Sequence, residues 1–166
     1  MEQDRMNLST HMRRSAVASS LAACFCFGAP DVSAQSASLS GTLSFKNKQT
    51  GRCLHNNLDK VVFTWPCDNA NTYQDWIGRY DGDRGLEYKN RRTGYCLAMS
   101  GTQVTSATCN NAIAQRWLPI SHAGGTAYAL LNLGTFRCIY NASSSAIGSS
   151  LTPCGDTNPY LWAVVP

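Results

Sequence analysis

Cysteine is the residue type in this chain whose number and spacing most directly indicate chemistry. The sequence has eight cysteines and three histidines, and clustered cysteines either bind metal ions or form disulfides. A structural zinc site is disfavoured, because no short Cys-x-x-Cys pair is present and only His55 and His122 accompany the six cysteines after residue 34. Those six fall into three pairs, one in each of three similar stretches, so we predict one disulfide within each stretch. The predicted bonds are Cys53–Cys67, Cys96–Cys109 and Cys138–Cys154.

The other reactive residues do not form a catalytic set. Glycoside hydrolysis generally uses two facing carboxylates, whereas the chain after residue 34 has one glutamate, Glu87, and aspartates that stand mostly beside glycine or in turns. No Gly-x-Ser-x-Gly motif, Cys–His pair or phosphate-binding glycine loop is present. The net charge of +4 is modest and is not arranged in a stripe, which argues against nucleic-acid binding. We predict a protein that is not an enzyme and needs no metal or cofactor.

The cysteine pairs belong to a unit that occurs three times. Its first cysteines, Cys53, Cys96 and Cys138, follow one another after 43 and 42 residues, and each has an asparagine six positions before it. A fixed period of this size indicates a repeat architecture. Each unit closes on a tryptophan-ended triplet: Gln74-Asp75-Trp76, Gln115-Arg116-Trp117 and Tyr160-Leu161-Trp162.

The elements that must position these residues are short strands. Helical periodicity is nearly absent, and short apolar runs alternate with Gly, Asn, Asp and Ser. About four strands in each of three repeats predict a closed, threefold all-β form, in which closure removes exposed sheet edges. We expect Trp76, Trp117 and Trp162 in the core, and residues 162–166 as the closing strand.

Together, the Cys-Leu starts, the second cysteine about 14 residues later and the Gln-x-Trp ends resemble the ricin B-type lectin family. The resemblance implies a β-trefoil over residues 41–166, with repeats at about 41–80, 84–122 and 127–166. It also implies carbohydrate binding, with up to one shallow pocket in each repeat. In the family, that pocket uses an Asp two residues after the first Cys, an aromatic residue two before the second Cys, and an Asn-Gln pair leading into Gln-x-Trp.

The first repeat keeps part of this pocket. Its Asp position holds His55, its aromatic position holds Trp65, and its Asn-Gln pair is Tyr73-Gln74. The resemblance therefore implies a carbohydrate site made of Trp65, Gln74 and His55, to which Asn56 adds a further hydrogen-bonding group. A carboxylate would give the strongest polar contact in such a pocket, and it is missing here.

The other two repeats have lost more of the pocket. The second repeat has alanine at three of the pocket positions, and the third has Tyr140, Thr152 and Pro159-Tyr160. An unorthodox second site in the third repeat would use Tyr140, Asn141 and Asp156. The basic turn 89–92 is interpreted as a solvated turn, with an anionic-ligand patch as the alternative.

Two functions are consistent with this pattern. The first is a secreted, non-catalytic, lectin-like module that binds a glycan or glycoconjugate. The second is an accessory or delivery subunit of a secreted toxin or other protein complex, since the chain is loosely similar to the trefoil subunits of cytolethal distending toxins. In that case its partner is a catalytic toxin or enzyme subunit.

The N-terminal residues predict export. Residues 1–34 contain a positively charged start, a run of small and apolar residues, and small residues before Gln35, which is typical of a secretory signal. The run is too short and too rich in Ser and Ala for a transmembrane segment. Residues 35–40 form a short linker before the domain. Alternatively, residues 21–24 form a lipobox and Cys24 carries a lipid anchor.

Overall fold

A computed structural model describes residues 39–143, 145–151 and 154–165 of the chain. The predicted export signal 1–34 with Cys24, most of the linker 35–40, and Thr152 lie outside the described residues. Within the described residues, no helix is long and apolar enough to cross a membrane.

Twelve short strands form three sets of four, as the repeats predict. Four single 3₁₀ turns are the helical elements of the described residues, at Gly82–Arg84, Ile113–Gln115, Ala123–Gly125 and Asn158–Tyr160. The strands are β1 Gly41–Asn47, β2 Cys53–Asn56, β3 Val62–Trp65, β4 Trp76–Tyr80, β5 Leu86–Asn90, β6 Cys96–Ser100, β7 Gln103–Ala107, β8 Trp117–His122, β9 Ala127–Asn132, β10 Arg137–Tyr140, β11 Gly148–Leu151 and β12 Leu161–Val165.

The first and last strands of each repeat close into a ring of six. Antiparallel pairing runs from β1 to β4, β5, β8, β9 and β12, and β12 returns to β1. This pairing confirms the closing strand at the C-terminus. The middle strands form three hairpins, β2–β3, β6–β7 and β10–β11, attached to β1, β5 and β9. The architecture is therefore the closed, threefold all-β form that the repeats predicted, and it is the β-trefoil that the family resemblance implied.

The repeated tryptophans form the centre of the core. Trp76, Trp117 and Trp162 are each fully buried. A buried indole N–H needs an acceptor, and each one donates to a backbone carbonyl oxygen in the first strand of a middle hairpin. The three acceptors are the carbonyls of Leu54 at 3.1 Å, Leu97 at 3.0 Å and Ile139 at 3.4 Å. The predicted core position of these tryptophans is confirmed.

The three disulfides form as the repeats predict. Cys53–Cys67, Cys96–Cys109 and Cys138–Cys154 have Cα–Cα distances of 5.0, 5.1 and 5.5 Å. Each bond ties the start of a hairpin to the loop that leaves it. Closing a loop of this size stabilises the native state by roughly 3 kcal/mol in the chain-entropy account.

The asparagine before each hairpin shapes a turn and joins neighbouring repeats. The side-chain oxygen of Asn90 accepts the N–H groups of Arg92 and Thr93, while its amide donates to the carbonyl of Tyr73 in the preceding loop at 2.9 Å. Asn47 and Asn132 make the equivalent bonds. These residues hold each repeat against the one before it.

The same turn requires a left-handed residue, and the third repeat supplies an unusual one. Gly51 and Gly94 have φ angles of 67° and 71°, and their equivalent in the third repeat is Phe136, with φ of 53°. A side chain in this region costs roughly 1–2 kcal/mol. The ring of Phe136 is 61 % exposed, so it does not recover that cost through burial in the core.

A tyrosine hydroxyl in the core is the clearest uncompensated polar group. Tyr88 is fully buried, its ring packs edge-on against Phe45 at 4.9 Å, and its hydroxyl has no hydrogen-bond partner among the described residues. Burial, together with the nearby Tyr128, raises the pKa of this hydroxyl. The group is therefore neutral at any ordinary pH.

We expect Tyr88→Phe to raise the free energy of unfolding by about 1 kcal/mol, because it removes an unpaired buried hydroxyl and keeps the ring. Urea unfolding of the oxidised protein measures the change as a higher midpoint at an unchanged slope. A lower midpoint would show instead that the hydroxyl bonds to a buried water.

Candidate functional site

The first hairpin separates its side chains between two faces. Strand side chains alternate between the two sides of a sheet, so the inward residues of β2 and β3, such as Leu54 and Thr64, are fully buried. His55 lies directly opposite Phe63 in the hairpin, and Trp65 lies opposite Cys53. His55, Phe63 and Trp65 therefore share the outward face.

These side chains join a row of four rings. The Trp65 and Phe63 centroids are 6.1 Å apart, edge to face, and Phe63 lies 4.6 Å from His55. His55 in turn stacks on Tyr73, at 5.4 Å and an interplanar angle of 23°. We call Trp65, Phe63, His55 and Tyr73 the aromatic ladder. Trp65 is 50 % exposed, so the ladder is open to solvent at that end.

A guanidinium group lies at each end of the aromatic ladder. The Arg52 guanidinium is 5.7 Å from the centre of the Trp65 ring, and the Arg92 guanidinium is 5.7 Å from that of Tyr73. Arg52 is half-buried and donates to the carbonyl of Thr64 at 3.1 Å. Arg92 is exposed. The face therefore combines apolar rings with positive charge.

The structure places Gln74 beneath the loop that carries Cys67. The side chain is 1 % exposed, donates to the carbonyl of Pro66 at 2.8 Å and accepts the N–H of Asp68 at 3.0 Å. Gln115 makes the same two bonds in the second repeat, to the carbonyl of Thr108 and the N–H of Asn110. The glutamine of Gln-x-Trp thus positions a loop and is not brought to the surface with Trp65.

Asn56 also lies away from the aromatic ladder. It is fully buried, donates to the hydroxyl of Thr93 at 2.7 Å and accepts from the hydroxyl of Ser106 at 2.8 Å. Because it follows His55 in the strand, it points to the opposite face. Of the four residues predicted for this site, the structure brings Trp65 and His55 together on the surface and leaves Gln74 and Asn56 inside.

Two ladder residues were missed by the sequence reasoning. Phe63 lies in the short apolar run 61–65, and Tyr73 stands at the family's Asn position, but neither was predicted as a binding residue. Strand alternation counted back from Trp65 would have placed Phe63 on the same face. No such local signal identifies Tyr73, because it comes from the loop before Trp76.

The residues predicted for a third-repeat site do not converge in the same way. The rings of Tyr140 and Tyr160 are 5.4 Å apart. Asn141 is fully buried, accepts from the hydroxyl of Thr50 at 2.7 Å and donates to the carbonyl of Ala146. Asp156 is exposed, and in the described part of the chain no hydrogen bond joins it to Tyr140 or Asn141. The structure therefore offers a tyrosine pair there, with the asparagine on the interior side.

The second repeat presents no ring at the corresponding place. Ala98 is buried and Ala107 is half-buried, as expected from the sequence. The aromatic ladder of the first repeat is thus the most extensive stacking surface in the described residues.

Comparison with known proteins identifies the family of the chain. The sequence profile of the ricin-type beta-trefoil lectin domain matches residues 41–161. This chain belongs to the ricin-type β-trefoil lectin family. No curated protein sequence matches the lectin domain significantly.

Several solved structures share the fold of this lectin domain. The cytolethal distending toxin from Actinobacillus actinomycetemcomitans superposes with a TM-score of 0.66 at 18 % identity, covering 76 % of this chain and 91 % of that one. The Haemophilus ducreyi cytolethal distending toxin gives 0.65 at 16 % identity, covering 83 % and 86 %. SeviL, solved with an asialo-GM1 saccharide, gives 0.63 at 16 % identity, covering 76 % and 97 %. At these identities the likeness concerns the fold.

His55 makes the free energy of unfolding depend on pH. Burial lowers the pKa of its imidazole below the ordinary value of 6.5, and its Nδ1 atom is buried with no hydrogen-bond partner among the described residues. The native state therefore favours neutral His55. As the pH falls below about 6.5, the unfolded chain takes up this proton first, so the free energy of unfolding decreases.

We expect His55→Gln to reduce this acid-side loss of stability. The wild type should lose more unfolding free energy than the variant between pH 7.5 and pH 5, as measured by urea unfolding at several pH values. Parallel pH profiles for the two proteins would mean that His55 titrates alike in the folded and unfolded states.

Proposed function

We propose that this lectin domain is a non-catalytic glycan-binding module whose working site is the aromatic ladder of the first repeat. The half-exposed Trp65 at the end of a four-ring row is the observation that carries the proposal. A sugar ring has apolar C–H faces that stack on an aromatic ring. Its hydroxyls need hydrogen-bonding groups, which the His55 imidazole and the Tyr73 hydroxyl would supply further along the ladder.

The affinity of one such site is low. The ladder is an open surface, and it lacks the carboxylate that would form charge-assisted hydrogen bonds with two sugar hydroxyls. We expect a dissociation constant near millimolar for a single site, about −4 kcal/mol. Useful binding would then come from a densely displayed glycan on a surface.

The proposed place of action is outside the cytoplasm. Three disulfides in a domain of this size are typical of secreted and periplasmic proteins. The signal pattern in residues 1–34 supports export of the chain, with the linker 35–40 ahead of the domain. A lipid anchor on Cys24 is the alternative form of the same proposal.

A glycan array tests the proposed site. The oxidised protein should bind at least one glycan, and Tyr73→Ala should weaken that binding because it removes one end of the aromatic ladder. Tyr95→Ala is the matched control: Tyr95 also lies beneath a cation, with the Lys60 ammonium 5.2 Å from its ring, but it is not part of the ladder. If both variants lose glycan binding equally, the aromatic ladder is not the binding site.

A trefoil subunit of a secreted complex is the second candidate. The likeness of the fold to two cytolethal distending toxin structures favours it, as does the loss of ring residues from the second repeat. A blank array with folded protein, together with stoichiometric co-elution with a catalytic partner encoded nearby, would establish this function. Monomeric elution in the presence of that partner would exclude it.

A further inference from the structure

The charge of the aromatic ladder differs from that of the sugar pocket which the family resemblance implies. That pocket has an Asp two residues after the first Cys, and this chain has His55 there. Burial lowers the pKa of His55, so the side chain is neutral at physiological pH. The position has therefore lost a negative charge, and this inference rests on the proposed glycan-binding function.

Positive charge lies at both ends of the ladder. The Arg52 and Arg92 guanidinium groups lie over Trp65 and Tyr73. Within the described residues, neither arginine makes an ion pair with a carboxylate. A planar guanidinium binds carboxylate and sulfate groups through two parallel hydrogen bonds.

The nearby acidic residues are engaged elsewhere. Asp75 is mostly buried and pairs with Arg91 at 3.2 Å. Asp68 accepts the N–H of Ala70 at 2.9 Å, within the loop after the hairpin. Among the described residues, neither carboxylate forms an ion pair with Arg92.

We infer that the ligand of the aromatic ladder is an acidic glycan, in which a sugar bearing a carboxylate or a sulfate binds at the Tyr73–Arg92 end. Arg92 is the contact, since it is exposed, whereas Arg52 already donates to the carbonyl of Thr64. Two further rings separate Tyr73 from Trp65. A second sugar of the same ligand therefore stacks on Trp65, and the site accepts an oligosaccharide of at least two residues.

The chain provides a closely matched control for Arg92. Arg91 is the adjacent residue, is also exposed, and carries the same charge, but its guanidinium pairs with Asp75. Arg92→Gln and Arg91→Gln therefore change the net charge equally, but only Arg92→Gln removes a guanidinium that contacts a ring of the ladder.

The experiment measures binding on an array that pairs each acidic glycan with its neutral core, and in solution with sialyllactose, sulfated lactose and lactose. We expect acidic members to bind at least about fivefold more tightly than their cores at low salt. Arg92→Gln should abolish that preference and Arg91→Gln should keep it. The preference should also shrink as salt rises from about 0.02 to about 0.3 M, because exposed charges are screened. The carboxylate and sulfate probes show separately which anion is preferred.

The outcomes distinguish this inference from the function on which it rests. If neutral cores bind as well as acidic glycans, and binding still depends on Tyr73, the module binds glycans and the inference of an acidic ligand is wrong. If Arg91→Gln removes the preference as fully as Arg92→Gln, the contact between the acidic group and Arg92 at the Tyr73 end is excluded. If folded protein binds neither acidic nor neutral glycans, the proposed function itself fails.

Discussion

Glycan binding is expected to fall at least about tenfold when Trp65 is replaced by alanine, while the fold remains intact. Stacking contributes about 0.5–1.5 kcal/mol beyond the apolar area that is covered, and area burial adds to it, so a loss above about 1.4 kcal/mol follows. The cost to folding is small, because the ring is 50 % exposed in the free protein. Titration calorimetry or NMR titration measures the loss of binding, and thermal unfolding measures the cost to folding.

A suitable control for this variant is Leu58→Ala. Leu58 is 65 % exposed and lies in the turn of the same hairpin, so it tests whether any loss of apolar surface near the site has the same effect. If Trp65→Ala binds every recognised glycan as tightly as the wild type does, the site lies on another surface. The Tyr140–Tyr160 pair would then be tested next.

The glutamines of Gln-x-Trp are expected to matter for stability. Gln74→Ala and Gln115→Ala should each lower the free energy of unfolding by about 2 kcal/mol, because each leaves one backbone N–H and one carbonyl oxygen without a partner beneath the loop. Urea unfolding measures both. Gln103→Ala is the control, since Gln103 is exposed on a strand and its loss should cost less than about 0.5 kcal/mol.

The same two variants separate the positioning role of Gln74 from the ligand contact expected from the family resemblance. If Gln74 only positions the loop, Gln115→Ala should leave glycan binding unchanged. Gln74→Ala should then weaken binding only together with its loss of unfolding free energy, because a loosened loop displaces Tyr73 at the end of the ladder. A Gln74→Ala protein with wild-type stability and no binding would restore Gln74 as a direct ligand contact.

Most of the architecture could be predicted from the sequence, because repetition restricts the possible structures. Three equal units with two cysteines each leave one equivalent way to close every disulfide, and the observed bonds follow it. The tryptophans recur at equivalent positions, and a lone repeat has no means to hide them. Their burial in the threefold core therefore follows from the period and from the cost of exposing large apolar side chains.

The third repeat contains a turn residue that the sequence pattern does not predict. The turn between the first and second strands needs a left-handed residue, which Gly51 and Gly94 supply, and Phe136 takes that conformation in the third repeat. A phenylalanine is a poor candidate for this conformation by sequence rules. The turn adopts it nonetheless: the Asn132 side-chain oxygen accepts the N–H groups of Gly134 and Thr135, and the Phe136 N–H donates to the Asn132 carbonyl at 2.9 Å.

The sequence by itself determined the repeat, the disulfide pairs, the core tryptophans and the loss of the family's carboxylate. Only the tertiary structure decided which polar residues reach the surface. Gln74 and Asn56 face inward, because the loop and the neighbouring repeat use their hydrogen-bonding groups. Strand alternation places Phe63 beside Trp65, but only the strand pairing brings His55 opposite Phe63, and only the loop path brings Tyr73 against His55. Hydrogen-bond partners and strand register depend on the packing of the complete fold, so the spacing of residues along the sequence does not determine them.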